Sequence, residues 1–167
     1  IKQCLVGSEM CIRDSSLAHH IRSHRFMAHV RSSTGTQVSR SNCHPFIIDN
    51  WMFLHNGQIG EFKRVKYELQ CQLPESLFLK RMGTTDSELI FLLMLHNGLC
   101  EQPVEAIRKT IIDISQMMKS KDIEEPLKAS ICISDGEQFW AVRYSSDDDA
   151  PTAVSYTHLT LPTTIEV

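Results

Sequence analysis

The sequence predicts an α+β fold in one domain, because strand-like and helix-like segments come in separate groups rather than in alternation. Apolar runs with aromatic and β-branched residues, Phe46–Ile48 and Trp51–His55, stand close together and read as strands. From Phe62 to Met118 the apolar spacing becomes helical. Ala129–Ile133 and Phe139–Arg143 then return to strand character on either side of Asp135-Gly136, a hairpin signal. A chain of 167 residues is long enough to bury a core of this kind.

Taken in order, Phe26–Arg31 alternates loosely and predicts a strand, left through the small-residue loop Arg31–Thr36. Asn42–Phe46 is an irregular connection in which Pro45 holds His44 extended. Phe46–Ile48 and Trp51–His55 flank an Asp49-Asn50 turn. The second of these strands stops at Asn56-Gly57, two residues that tolerate positive φ and let the chain turn. Such a dipeptide is either an ordinary turn or a pair of outward donors, the Asn carboxamide and the Gly N–H, of the kind an oxyanion requires. His96-Asn97-Gly98 repeats the tripeptide His55-Asn56-Gly57, but it follows the run Leu89–Leu95 and reads as a helix C-terminus.

Phe62, Val65 and Leu69 recur at helical spacing, and Pro74 ends that unit. Thr85 with Glu88 three residues on fits a capping box opening the apolar helix Leu89–Leu95, and Asp86 in its first turn suits the positive end of the helix dipole. A further helix begins at Pro103 and buries Val104, Ile107, Ile111, Ile114 and Met118.

Both ends look foreign to this domain. Met10–Asp14 can be back-translated as ATG TGT ATA AGA GAC, and Val154–His158 as GTC TCT TAT ACA CAT. Each string is the reverse complement of the other, and both resemble the adapters used to fragment DNA for sequencing. Residues 1–15 and 153–167 are therefore read as adapter-derived tails, leaving residues 16–152 as the domain, truncated at both ends. Within it, Cys43, Cys71, Cys100 and Cys132 form no C-x-x-C pair, so reduced thiols and a cytoplasmic location are expected. The net charge of −3 gives no reason to expect a nucleic-acid or membrane partner, and the longest apolar run is too short to span a bilayer. His29, His44 and His55 follow no zinc-ligand pattern, so no metal is expected, and they read as hydrogen-bonded core residues behind a site.

A strand leading to Arg31-x-x-Thr34, a strand leading to His55-Asn56-Gly57, and Thr85-Asp86-Ser87-Glu88 opening a helix follow one another in that order. In this order and spacing the sequence resembles the glutamine-hydrolysing domain of class II glutamine amidotransferases, of the N-terminal-nucleophile type, over about Phe26 to Tyr144. The stand-alone bacterial branch is the nearest likeness. The resemblance implies a four-layer αββα sandwich and a glutamine or γ-glutamyl substrate, with no cofactor. It assigns Arg31 to the substrate carboxylate, where a surface ion pair is the plainer reading, and Thr34 to a hydroxyl contact. Asp86 is assigned to the α-ammonium, a role compatible with its place at the helix start. Asn56 and Gly57 become the oxyanion donors. The family's nucleophile is a cysteine exposed at the N-terminus, with its own amine as base. Cys11 follows Met10 but lies in the adapter-like tail and receives no role, so this polypeptide is expected not to hydrolyse glutamine. Two further readings stay open: hydrolysis of γ-glutamyl amides in a small peptide or thiol compound, and a non-catalytic glutamine-binding module. The acceptor or synthase partner is not legible.

Overall fold

The structure is a computed structural model that describes Met27, His29 and residues 40–147. Apart from Met27 and His29, the strand predicted over Phe26–Arg31 lies outside the described residues, as do Arg31 and Thr34. The described residues build an antiparallel sheet of four strands in the order β1-β2-β3-β4: β1 Phe46–Ile48, β2 Trp51–Gln58, β3 Lys128–Ser134 and β4 Phe139–Ser145. Between β2 and β3 the chain forms helices α1 Phe62–Cys71, α2 Glu75–Phe78, α3 Asp86–His96 and α4 Pro103–Ser120. The grouped order of strands, helices and strands is the α+β arrangement that the sequence predicts. The layers present among the described residues are this sheet and its helices.

Side chains alternate across a strand, so one face of the sheet collects Phe46, Phe53, Ile133 and Trp140 in one cross-strand row. The next row on that face holds His55, Ile131 and Val142. Against it packs α3, apolar all round and buried from Ser87 to Met94, as a helix enclosed by sheet and neighbouring helices must be. Phe53 of β2 and Phe91 of α3, both fully buried, stack at 5.1 Å with their rings 8° apart. Helix α4 buries Ile107, Ile111, Ile114 and Met118 as predicted, but leaves Val104 at its first turn exposed, with Ala106 and Thr110 taking the inward positions.

The Asp49-Asn50 turn forms, with Asp49 at φ 53°. Asp135-Gly136 likewise closes the β3–β4 hairpin, where Gly136 has φ 95° and donates its N–H to the Ser134 hydroxyl. The predicted break at Asn56-Gly57 does not occur: β2 continues through both residues to Gln58, paired with Lys128 of β3. Seven consecutive pairs with β3 outweigh the turn propensity of an Asn-Gly dipeptide.

Candidate functional site

The site is built where β2 ends and α3 begins. The Leu127 carbonyl accepts the Ser146 N–H, so the backbone at Leu127 faces β4. Backbone groups of successive strand residues point to opposite sides, so those of Lys128 and Ser130 face β2 and meet their partners Gln58 and Asn56. Gly57, between them, therefore directs its N–H away from β3, toward the side where β1 pairs only as far as Phe53. Asn56 is exposed, with its side chain on the sheet face opposite His55.

Gly57 also allows a close approach that no other residue would. A Cβ there would stand 1.9 Å from the Lys128 carbonyl oxygen and 2.8 Å from His55 Nε2. The space it leaves is crossed by a hydrogen bond, His55 Nε2 to the Lys128 carbonyl at 3.2 Å. This bond puts the ring proton on Nε2, and Nδ1 then accepts from the Ser87 hydroxyl at 2.8 Å. Burial pushes the His55 pKa down, against smaller upward effects of the Asp86 charge and the Lys128 carbonyl.

Asp86, partly buried, is the first residue of α3. Its Oδ2 accepts the N–H of Ile59 at 3.0 Å and its Oδ1 that of Ser87 at 2.8 Å. Ile59 lies two residues beyond Gly57, so the carboxylate is tied to the chain just past the end of β2. The two bonds leave each carboxylate oxygen further lone-pair capacity for a cation.

The capping box predicted at α3 forms by half. Thr85 Oγ1 accepts the Glu88 N–H at 3.2 Å as an N-cap should, but the Glu88 carboxylate does not return to Thr85. It accepts instead from the N–H groups of Met82 and Gly83, at 2.8 and 2.7 Å, with Arg81 Nε 3.7 Å away and both charged side chains buried. Asn42 adds a bond to the Thr84 N–H at 3.0 Å. The segment that delivers Asp86 is thus fixed from three sides.

Sequence reasoning foresaw His55 as a hydrogen-bonded residue behind the site, but gave Ser87 no part. Its signal was its place beside Asp86, which becomes informative only when α3 is docked on β2. His44 packs its ring against His29 at 4.4 Å and Phe46 at 4.7 Å. Among the described residues no three His, Cys, Asp or Glu side chains gather as metal ligands. Cys43 is disulfide-bonded, against the expectation of reduced thiols throughout, while Cys71, Cys100 and Cys132 are free. An apolar cavity of about 300 Å³ between α4 and β4, lined by Ile107, Ile111, Trp140 and Tyr144 among others, includes none of the candidate residues.

The family model of the class-II glutamine amidotransferases matches residues 11–158. The chain belongs to that family. The matched range runs past both borders of residues 16–152. Relatives include "Probable glutamine amidotransferase DUG3" of Saccharomyces cerevisiae, 41% identical over 81 residues, covering 48% of this chain and 23% of that protein. "Putative glutamine amidotransferase" of Haemophilus influenzae is 33% identical over 119 residues, covering 63% of this chain and 37% of its own length. Among solved structures, a glutamine aminotransferase class-II domain protein of Silicibacter pomeroyi aligns with a TM-score of 0.73 at 35% identity, over 84% of this chain and 58% of that one. This class-II amidotransferase chain therefore spans less than half of those two curated relatives and somewhat more than half of the solved structure. No helix among its described residues is long and apolar enough to cross a membrane.

Proposed function

We propose that residues 16–152 carry the glutamine-binding and oxyanion parts of a glutaminase site, in a domain of the four-layer αββα type and of the stand-alone branch. In the reaction a cysteine thiolate attacks the side-chain amide carbon of glutamine. Ammonia leaves from the tetrahedral intermediate, and water then hydrolyses the thioester to glutamate. Arg31 holds the α-carboxylate, with Thr34 adding a hydroxyl contact, and Asp86 holds the α-ammonium. Asn56 and Gly57 donate to the oxyanion of the intermediate, where losing one donor typically costs about 3 kcal/mol.

The observation that carries this reading is the joint placement at the end of β2. The Gly57 N–H is directed off the ladder, and the Asp86 carboxylate is fixed two residues on by the Ile59 N–H. The described cysteines make poor nucleophiles. Cys43 is in a disulfide, and burial raises the Cys132 thiol pKa, the reverse of what activates a thiolate. Cys71 and Cys100 lie exposed at the ends of α1 and of the turn after α3, with no N-terminal amine to serve as base. On this reading the nucleophile lies outside residues 16–152, and with Cys11 assigned to the adapter-like tail the 167-residue chain binds glutamine without hydrolysing it.

Titration calorimetry with L-glutamine, beside an ammonia-release assay, tests both halves. Asp86→Asn should weaken binding at least tenfold, as loss of a charge-assisted contact does. Ammonia release by this chain would overturn the statement about the nucleophile, and failure to bind L-glutamine would overturn the pocket.

A further inference from the structure

His55 neighbours Asn56, and Ser87 neighbours Asp86, so each sits one residue behind a group assigned to the substrate. The two are joined by a buried hydrogen bond of 2.8 Å, and His55 is tied in turn to the Lys128 carbonyl. The Ser87 hydroxyl has a single proton and two acceptors within reach, His55 Nδ1 at 2.8 Å and Asp86 Oδ1 at 3.4 Å. The shorter contact takes the proton, because the other ring nitrogen is committed as donor to Lys128 and leaves Nδ1 as an acceptor.

We propose that His55 is a positioning residue for the substrate ammonium, acting by holding the Ser87 hydroxyl. Drawing the Ser87 proton to His55 keeps the Asp86 carboxylate open for the ammonium. The inference rests on the glutamine reading above and adds to it the device that keeps Asp86 available. Two features of the fold make the arrangement possible. Gly57 has no side chain in the path from His55 to Lys128, and the Ser87 backbone N–H binds Asp86 Oδ1, so the serine is held beside the carboxylate while its hydroxyl turns away. If Nδ1 were absent, the hydroxyl would rotate to Asp86 Oδ1 and compete with the ammonium.

The test compares two ligands on the 167-residue chain: L-glutamine and glutaramate, which has the same carboxylate and amide but no ammonium. His55→Phe removes both ring nitrogens, the Nδ1 acceptor of the Ser87 hydroxyl and the Nε2–H donor to Lys128, and Ser87→Ala removes the hydroxyl with little change of volume. Because His55→Phe can unfold the chain, Ser87→Ala is the second variant, and thermal melting establishes that each is folded. For His55→Phe in a folded background, the Kd for L-glutamine should rise roughly threefold to tenfold while that for glutaramate stays within about twofold. Adding Ser87→Ala to His55→Phe should recover much of the loss, since no hydroxyl remains to compete; a merely structural role predicts no such rescue. For Ser87→Ala alone, the imidazole ¹⁵N signature should keep the proton on Nε2, and the L-glutamine Kd should shift by less than about threefold. Equal weakening for both ligands, or no rescue in the folded double variant, overturns the proposal while leaving the glutamine reading in place. If the wild-type chain binds no L-glutamine, both fall together.

Discussion

At the scale of single residues, Gly57 and His55 must be considered as a pair. Gly57→Ala would push a methyl group into the Lys128 carbonyl, at 1.9 Å in the present geometry, and into the path of the His55 hydrogen bond. Backbone cannot yield as a side-chain tip can, so the substitution should cost about 2–4 kcal/mol of stability, read from urea denaturation. A change below about 0.5 kcal/mol would contradict the close approach. His55 also predicts a pH dependence. Its folded pKa is depressed by burial, so between that value and the ordinary histidine value the unfolded chain binds more protons than the folded one. Stability is then complete above the unfolded pKa of about 6.5 and declines as pH falls through it, with a slope of at most about 1.4 kcal/mol per pH unit from one proton. The melting temperature of the wild type should fall between pH 7.5 and 5.5 more steeply than that of a folded His55→Phe variant. Parallel curves would assign the dependence to other groups.

At the scale of elements, the start of α3 shows what the sequence could and could not convey. Thr85 as N-cap follows from local chemistry, because a hydroxyl before an apolar run satisfies an orphan N–H wherever that run becomes a helix. Glu88 was assigned to the same local motif, but its carboxylate goes to Met82 and Gly83 and pairs with Arg81. That choice depends on how the preceding loop folds back, with Asn42 bound to Thr84 from forty-two residues away, and no spacing rule contains it. The two residues therefore should not be equivalent. Thr85→Ala loses one cap bond and should cost about 1 kcal/mol. Glu88→Ala strands two part-buried N–H groups and the buried Arg81 side chain and should cost about 3–5 kcal/mol. Urea midpoints of the two variants would rank them, and a Thr85→Ala loss equal to or above that of Glu88→Ala would restore the simple capping box. The same distinction explains β2. Asn-Gly favours a turn locally, whereas its continuation depends on pairing with β3, seventy residues later in the chain.

At the scale of the whole molecule, the parts that were legible are those set by periodicity. The apolar run Trp51–His55 announced β2, and helical spacing placed Ile107, Ile111, Ile114 and Met118 on one side of α4. What periodicity cannot supply is the depth of a helix that is apolar on every side. Helix α3 has no preferred face in its sequence, and its position between the sheet, α1 and α4 emerges only from the assembled layers. The stack of Phe53 on Phe91 is where those layers lock, both rings wholly removed from solvent. Phe91→Ala should accordingly cost about 3–5 kcal/mol, combining lost burial with the cavity left between layers that cannot collapse onto each other. That is a large part of the roughly 5–15 kcal/mol by which domains of this size are stable, so the variant should melt far below the wild type or fail to fold at 37 °C. Phe78, of similar volume but 47% exposed on the short helix α2, provides the control, and Phe78→Ala should change stability by less than about 0.5 kcal/mol. If the two alanine variants melted together, the sheet and α3 would not share one core, and the geometry that brings Asp86 to the end of β2 would lose its support.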